Sequence, residues 1–465
     1  MKPFSNACLN HKAQIHVPRN YPPNDSREAR HDPQPMSQVQ IYKSFLVPKL
    51  RRVGEFMSAQ GITMAGNLLY GLLCVRLLPV NGYAKFAVIF GVLGSLGLLL
   101  NIGISNTLAP LVGEKTDDRQ LIADYVASLR TVAQWLFAIM APVLIVIFPF
   151  LVHRQQWGWQ VVASMEAMIL VAAWFARIGS AYGAVLLLRR DRKAWYRAQM
   201  VSSLGTLALL LAFWASGRLN EYAAILLNIA GIIYVGASYY LRSRKLLGLT
   251  GHSSPEKRKA IIHLALPNSP STIYYALQAQ ISLMLITYFG HAAGVASVGA
   301  LTRLSQIFTI FGQMNPVLIE PYFARLPRAR LKRNYIGAIV SIGSMCLCLI
   351  GLARYFPGLF LWVLGPKYAS LRFEVFLVIT SGSISYVNGV MWVIHSSRRF
   401  VYWWNNMLTI ATTITVQAIY LWKFDLSTVR AVLLFNISSA ASFFFVCIIC
   451  GIFGFTRGPR QLHRA

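Results

Sequence analysis

Three arginines, Arg76, Arg177 and Arg303, stand inside stretches of sequence that are otherwise apolar. A charge at the centre of a bilayer costs at least about 2.5–3.5 kcal/mol on insertion scales, so such residues face a polar cavity or reach for an interface. Arg76 is near the outer end of its stretch, within reach of headgroups. Arg177 and Arg303 lie deeper, which points to a cavity. All three are positive, and a passage lined this way favours an anion. Asn101, Gln280, Gln313 and Asn315 fall in the same stretches and could add the hydrogen bonds that an anion needs on leaving water. The acids there, Glu166 and Glu320, lie near the ends of their stretches. They are candidates for ion coupling. The plainer alternatives are that Glu320 caps or pairs at the inner edge and that Glu166 pairs with Arg154.

Twelve apolar windows must position these residues: 57–78, 84–112, 131–152, 161–188, 198–216, 222–241, 265–289, 295–320, 335–353, 373–395, 401–422 and 429–455. Each suits a helix across a hydrocarbon core about 30 Å thick, which takes roughly 20 apolar residues. They are continuous runs without the alternation of a β-barrel. The composition agrees, with 56% hydrophobic and 13% charged residues and a mean hydropathy of +0.51. Lys and Arg are sorted by gap. The segments 43–52, 115–130, 189–197, 242–259, 325–333, 398–399 and 457–464 hold 28 basic residues, and the intervening gaps hold eight. Positive loops stay in the cytoplasm, so both termini are expected inside. A net charge of +29 would suggest nucleic acid in a soluble protein. Here the basic residues sit at membrane edges, where orientation and anionic headgroups account for them, and nucleic acid is not an expected partner.

The chain is expected to divide into a disordered basic cytoplasmic tail over 1–52, a six-helix bundle over 53–241, a cytoplasmic linker over 242–264, a second six-helix bundle over 265–455, and a tail over 456–465. The first residues are rich in proline and carry no apolar run, which fits neither a signal peptide nor a domain. The halves look related. Arg76 to Phe86 leads into a long run ending near Pro110, and Thr287 to Val298 leads into another ending near Pro321. Six crossings per half give repeats of the same orientation. Cys447 and Cys450 lie among Phe and Ile and read as packing. No phosphate-binding loop, catalytic triad or acidic metal motif occurs, so neither enzymatic chemistry nor a cofactor is expected.

Against this background five motifs form a resemblance. Arg76-Leu-Leu-Pro-Val-Asn-Gly-Tyr-Ala-Lys-Phe with Asn101-Ile-Gly-Ile-Ser is similar to the first helix pair of bacterial polysaccharide (O-antigen) flippases. These are the Wzx-type family of the multidrug/oligosaccharidyl-lipid/polysaccharide (MOP) exporter superfamily. The run Leu187 to Arg197, Leu266-Pro-Asn-Ser-Pro with Gln280, Gly299-Ala-Leu-Thr-Arg303-Leu, and Leu359 to Ala369 resemble further segments of that family in the same order. The resemblance implies an all-α polytopic membrane protein of about twelve transmembrane helices in two pseudo-symmetric six-helix bundles. It implies export of an undecaprenyl-pyrophosphate-linked oligosaccharide across the bacterial inner membrane by alternating access. Membrane lipids, a polysaccharide polymerase and chain-length machinery are the implied partners. Many relatives carry an acid two residues after the matching glutamine, whereas this chain has Ser282, which puts ion coupling in doubt. An outward-moving anion gains roughly 2.3 kcal/mol per charge per 100 mV when the inside is negative, so export needs no coupled ion. The main alternative is a multidrug antiporter for organic cations, which would call for buried acids. A glycan polymerase would need longer outer loops.

Overall fold

A computed structural model describes residues 59–457, apart from 114, 116, 190, 249, 399, 401 and 402. The expected tail over 1–52 and residues 458–465 lie outside the described residues. Everything described is helix, turn or loop, without a strand. "Outer" and "inner" below follow the orientation that the loop charges predict.

In the first half, α1 covers 59–77 and α2 covers Val80–Leu99, followed by a 3-10 turn and the short α3, Leu108–Val112. Four long helices follow: α4 (Arg119–Val152), α5 (Trp159–Leu188), α6 (Arg192–Ala215) and α7 (Glu221–Leu247). Polar residues start three of them. Asp118, Asp191 and Asn220 accept hydrogen bonds from the backbone N–H of Leu121, Ala194 and Ala223, each three residues on, satisfying amides that a helix start leaves open. Gly248, at φ 67°, ends α7, a left-handed geometry that costs glycine little.

Ser254 caps α8 (Pro255–Ala265), whose Pro255 sits in the first turn. This helix belongs to the linker and is held against α4. Lys257 donates to Asp124 at 2.6 Å, the His252 N–H donates to the same carboxylate at 2.9 Å, and the Ser254 N–H donates to Ser128.

In the second half, the expected single helix over 265–289 is broken into α9 (Ser269–Gln278) and α10 (Ile281–Phe289). Packing against α2 explains the break. Leu283 and Gln280 fill the space left by Gly91 and Gly94, and Ser95 donates to the Ala276 carbonyl at 3.1 Å. Backbone irregularity inside a membrane is tolerated where protein re-satisfies it. Then come α11 (Ala292–Arg325), α12 (Arg328–Tyr355), the short α13 (Pro357–Leu364), α14 (Arg372–Ser397), α15 (Trp403–Lys423) and α16 (Val429–Arg457).

Nine helical stretches among the described residues are long and apolar enough to cross a membrane. The other three windows correspond to α1, the broken α9–α10 pair and α15. Large apolar side chains stay on the outside of the molecule, among them Val146 (73% exposed) and Leu347 (70%). That is the surface of a protein whose solvent is hydrocarbon. Trp159, Trp362 and Trp422 are exposed at helix ends, as interfacial anchors would be.

The bundles pack through α2 and α11, with α9 and α10 also against α2. A Cβ on Gly299 would stand 2.7 Å from the Ala87 methyl, so the contact depends on a missing side chain. The apolar core is asymmetric along the membrane normal. Residues from the outer parts of both halves, including Cys74, Phe86, Ile225, Val295, Leu364 and Val375, form one cluster. The inner parts carry separate clusters, around Leu108, Val126 and Ile261 in one half and around Leu331, Ile394 and Met391 in the other. The halves share the outer cluster, and α9 adds a contact lower on α2 through Ser95 and Ala276.

Candidate functional site

A cavity of about 1120 Å³ lies within the first bundle, lined by α1, α2, α5, α6 and α7 with α3 and the turn before it. Helical periodicity builds its wall. On α5, Ala176, Gly179, Ser180, Gly183, Ala184 and Leu187 recur at three- and four-residue spacing, so one face stays small and lets α7 approach. Gly236 comes so near that a Cβ there would be 2.7 Å from the Phe175 carbonyl. On α6, Gln199, Ser202, Ser203 and Thr206 form the facing polar stripe, and Asn228 and Tyr239 project from α7.

Chemically the lining is neutral and hydrogen-bonding. Asn67, Asn101, Asn106, Gln199 and Asn228 present amides, and among the described residues that line it Arg192, at the inner end, is the charged one and none is an acid. Trp195 and Tyr239 stack with planes 12° apart, giving the cavity an aromatic floor. Tyr70 and Phe90 complete the wall toward the second bundle, with the Tyr70 hydroxyl donating to the Ala224 carbonyl at 2.5 Å.

Arg303 stands behind that wall. It projects from α11 into the first bundle and stacks over Phe90 at 4.0 Å and Phe86 at 5.8 Å. Its guanidinium also rests against α1, where a Cβ on Gly71 would be 2.9 Å from Nε. It is 4% exposed and makes no ion pair among the described residues.

Arg177 is 3% exposed but turned away from the cavity, which its neighbour Ala176 lines. It stacks over Trp174 at 4.0 Å, and its Nε and Nη1 are buried without a hydrogen-bond acceptor. Arg76 sits at the outer end of α1 and donates to the Trp362 carbonyl at 2.8 Å. The three arginines therefore do not share one cavity. A helix turns 100° per residue, and the apolar windows set depth without setting direction.

The polar residues expected at the site also divide. Asn101 lines the cavity while its Oδ1 accepts from the Ser105 N–H and hydroxyl. Gln280 packs against Gly94 of α2 at the α9–α10 break. Asn315 is buried, whereas Gln313 and Glu320 are exposed on the inner part of α11. Glu320 makes no ion pair among the described residues, and Glu166, with a buried and unpaired Oε1, is not the partner of Arg154.

Sequence reasoning passed over Asn67, Asn106, Arg192, Gln199 and Asn228. The stripe Gln199, Ser202, Ser203, Thr206 was legible as helical spacing within an apolar window. The second bundle holds its own neutral polar seam. Gln417 donates to Gln278 and Ser439, at 2.8 and 3.0 Å, and Ser282 donates to Asn436. Ser282 is thus the donor of an internal pair, in the place where relatives are expected to carry an acid. Among the described residues, no group of His, Cys, Asp and Glu could hold a metal ion.

Long apolar helices with lipid-like outer faces define a multi-pass membrane protein. No family profile matches the sequence, and no curated protein matches it significantly. Solved structures do. The chain is similar to a multidrug resistance MATE family transporter of the MOP superfamily in an inward-facing conformation, at 15% identity and a TM-score of 0.61, covering 85% of this chain and 94% of that one. It is similar to a MOP superfamily transporter from Pyrococcus furiosus whose structure is described by a reverse polarity of its binding pocket, at 14% identity and a TM-score of 0.53, covering 86% and 93%. The lipid II flippase MurJ, in an inward closed conformation, matches at 10% identity and a TM-score of 0.53, over 85% and 87%. At such identities the likeness is one of fold, and the fold is MATE/MOP-like.

Proposed function

We propose that this chain is a Wzx-type flippase that carries an undecaprenyl-pyrophosphate-linked oligosaccharide from the inner to the outer leaflet of a bacterial inner membrane, for surface polysaccharide synthesis. The observation that carries this reading is the chemistry of the cavity. It is lined by amides, hydroxyls and aromatic faces, has a cation at its inner end, and shows no acid among the described residues of its lining. Amides and hydroxyls match a sugar's hydroxyls, and the stacked pair Trp195 and Tyr239 offers flat apolar faces. Drug-sized ligands occupy roughly 300–1,000 Å³, so the volume suits an oligosaccharide head while the polyprenyl tail stays in the bilayer.

Arg192 receives the phosphate at the inner end, and Arg303 lies one aromatic layer from the same space. Rocking of the bundles about their shared core then delivers the head outward. Export down the membrane potential requires no coupled ion, in keeping with the neutral seam around Ser282. On this reading both termini are cytoplasmic, and the polymerase and chain-length machinery take up the product.

An organic-cation antiporter of the same fold would need an acid to hold its substrate. The test is reconstitution in proteoliposomes. A fluorescent polyprenyl-pyrophosphate oligosaccharide should move between leaflets at least tenfold faster than in empty vesicles. Movement of ethidium in place of the lipid would overturn the proposal.

A further inference from the structure

The outer end of α1 is tied to the second bundle by two cations that pair with no carboxylate among the described residues. Lys367, in the turn after α13, donates from Nζ to the carbonyls of Arg76 and Leu78, at 2.9 and 2.8 Å. These are carbonyls at the end of α1, where the helix dipole is negative and a cation is favoured. The contact is reciprocated. Arg76 Nη2 donates to the Trp362 carbonyl at 2.8 Å, and its guanidinium lies 5.4 Å from the Trp362 ring. Gly365, at φ 98°, lies beside Arg76, where a Cβ on it would stand 3.4 Å from Arg76 Cγ. A second tie stands across the mouth, where Gln155 Nε2 donates to the carbonyls of Thr287 and Gly290 at 2.7 and 3.1 Å.

We propose that Arg76 and Lys367 form an outer gate that opens by exchanging these backbone carbonyls for the oxygens of a phosphate or pyrophosphate group, and so form an exit site for an anionic headgroup. Three features support it. Both residues are exposed, so an anion can reach them. Their present acceptors are neutral, and a charged oxygen makes a bond to a cation about twice as strong as a neutral one. Their three bonds join α1 of one bundle to the α13 segment of the other, directly above the shared outer core that rocking must separate. Opening frees two cations at the same moment that it gives the headgroup access to them. The inference rests on the transport reading and deepens it, since it adds Lys367 and assigns Arg76 to the mouth and not to the cavity.

A natural reporter lies one turn below the gate. Cys74 is fully buried in the shared outer core, and its carbonyl accepts from the Leu78 N–H. In right-side-out vesicles, a chain retaining Cys74 with its other five cysteines changed to alanine is treated with a membrane-impermeant maleimide. Slow labelling is expected. Lys367→Met and Arg76→Met should label about tenfold faster or more, as each removes bonds worth about a factor of ten, while Lys367→Arg stays slow. In the parent chain, external inorganic pyrophosphate should speed labelling, and chloride of equal ionic strength should not. Unchanged labelling in both variants would overturn the gate. Faster variants that leave the parent insensitive to pyrophosphate would overturn the exchange. No cargo is present in this assay, so a failed flipping assay and a failed gate are told apart.

Discussion

Replacing Arg303 with methionine separates the charge from the packing it makes. The guanidinium is 4% exposed and stacks on Phe90 at 4.0 Å, a desolvated cation–π contact worth about 2 kcal/mol. Against that stands the penalty of burying an unpaired ion, several kcal/mol. The substitution strands no carboxylate, because none pairs with Arg303 among the described residues, and methionine can lie against Gly71 as the arginine stem does. The fold should therefore be no less stable, with Tm within about 3 °C of the parent. Transport should collapse. If rocking of the bundles draws Phe90 aside, so that the guanidinium gives the passing phosphate two charge-assisted hydrogen bonds of about 1.5–3 kcal/mol each, their loss slows flipping at least about a hundredfold. Arg303→Lys keeps the charge without the planar fork and should fall between the two. Flipping in proteoliposomes and melting of the purified protein in detergent read the two quantities. A folded Arg303→Met protein that flips the pyrophosphate lipid at the parent rate would refute the reasoning.

Other consequences are independent of that residue. Asn228→Asp places a carboxylate in a cavity whose described lining has none and should lower flipping at least tenfold while raising binding of ethidium, measured by fluorescence polarisation. Gly236→Ala drives a methyl to 2.7 Å from the Phe175 carbonyl; overpacking of this kind costs about 1–3 kcal/mol, so the melting temperature should drop by several degrees. Asp124→Ala removes the acceptor for Lys257 and for the His252 N–H, a loss of about 1–3 kcal/mol. Trypsin should then cut between Arg242 and Lys259 several times faster, with flipping changed less than cleavage.

The class of molecule was legible because it depends on local quantities. A window's length and apolarity decide whether it crosses, and the charges beside it decide which way, without reference to any partner. The windows at 335–353 and 373–395 fall inside α12 and α14 for that reason. The site depends on direction, and a single residue changes it: Ala176 faces the cavity, and Arg177 turns away from it onto Trp174. The break at Gln280 was hidden for a related reason, since Ile281 to Phe289 is apolar enough to continue the helix, and only the glycine face of α2 makes room for a kink.

The sequence by itself determined a multi-pass helical protein with a cationic bias in its buried charge. Only the tertiary structure decided that Arg303 passes behind Phe90 into the opposite bundle, that Arg177 is excluded from the cavity, and that Lys367 closes on carbonyls at Arg76 and Leu78, 291 and 289 residues away. Membrane insertion is settled one segment at a time. Which buried groups meet is settled by how the inserted helices rotate and pack, and no single segment contains that information.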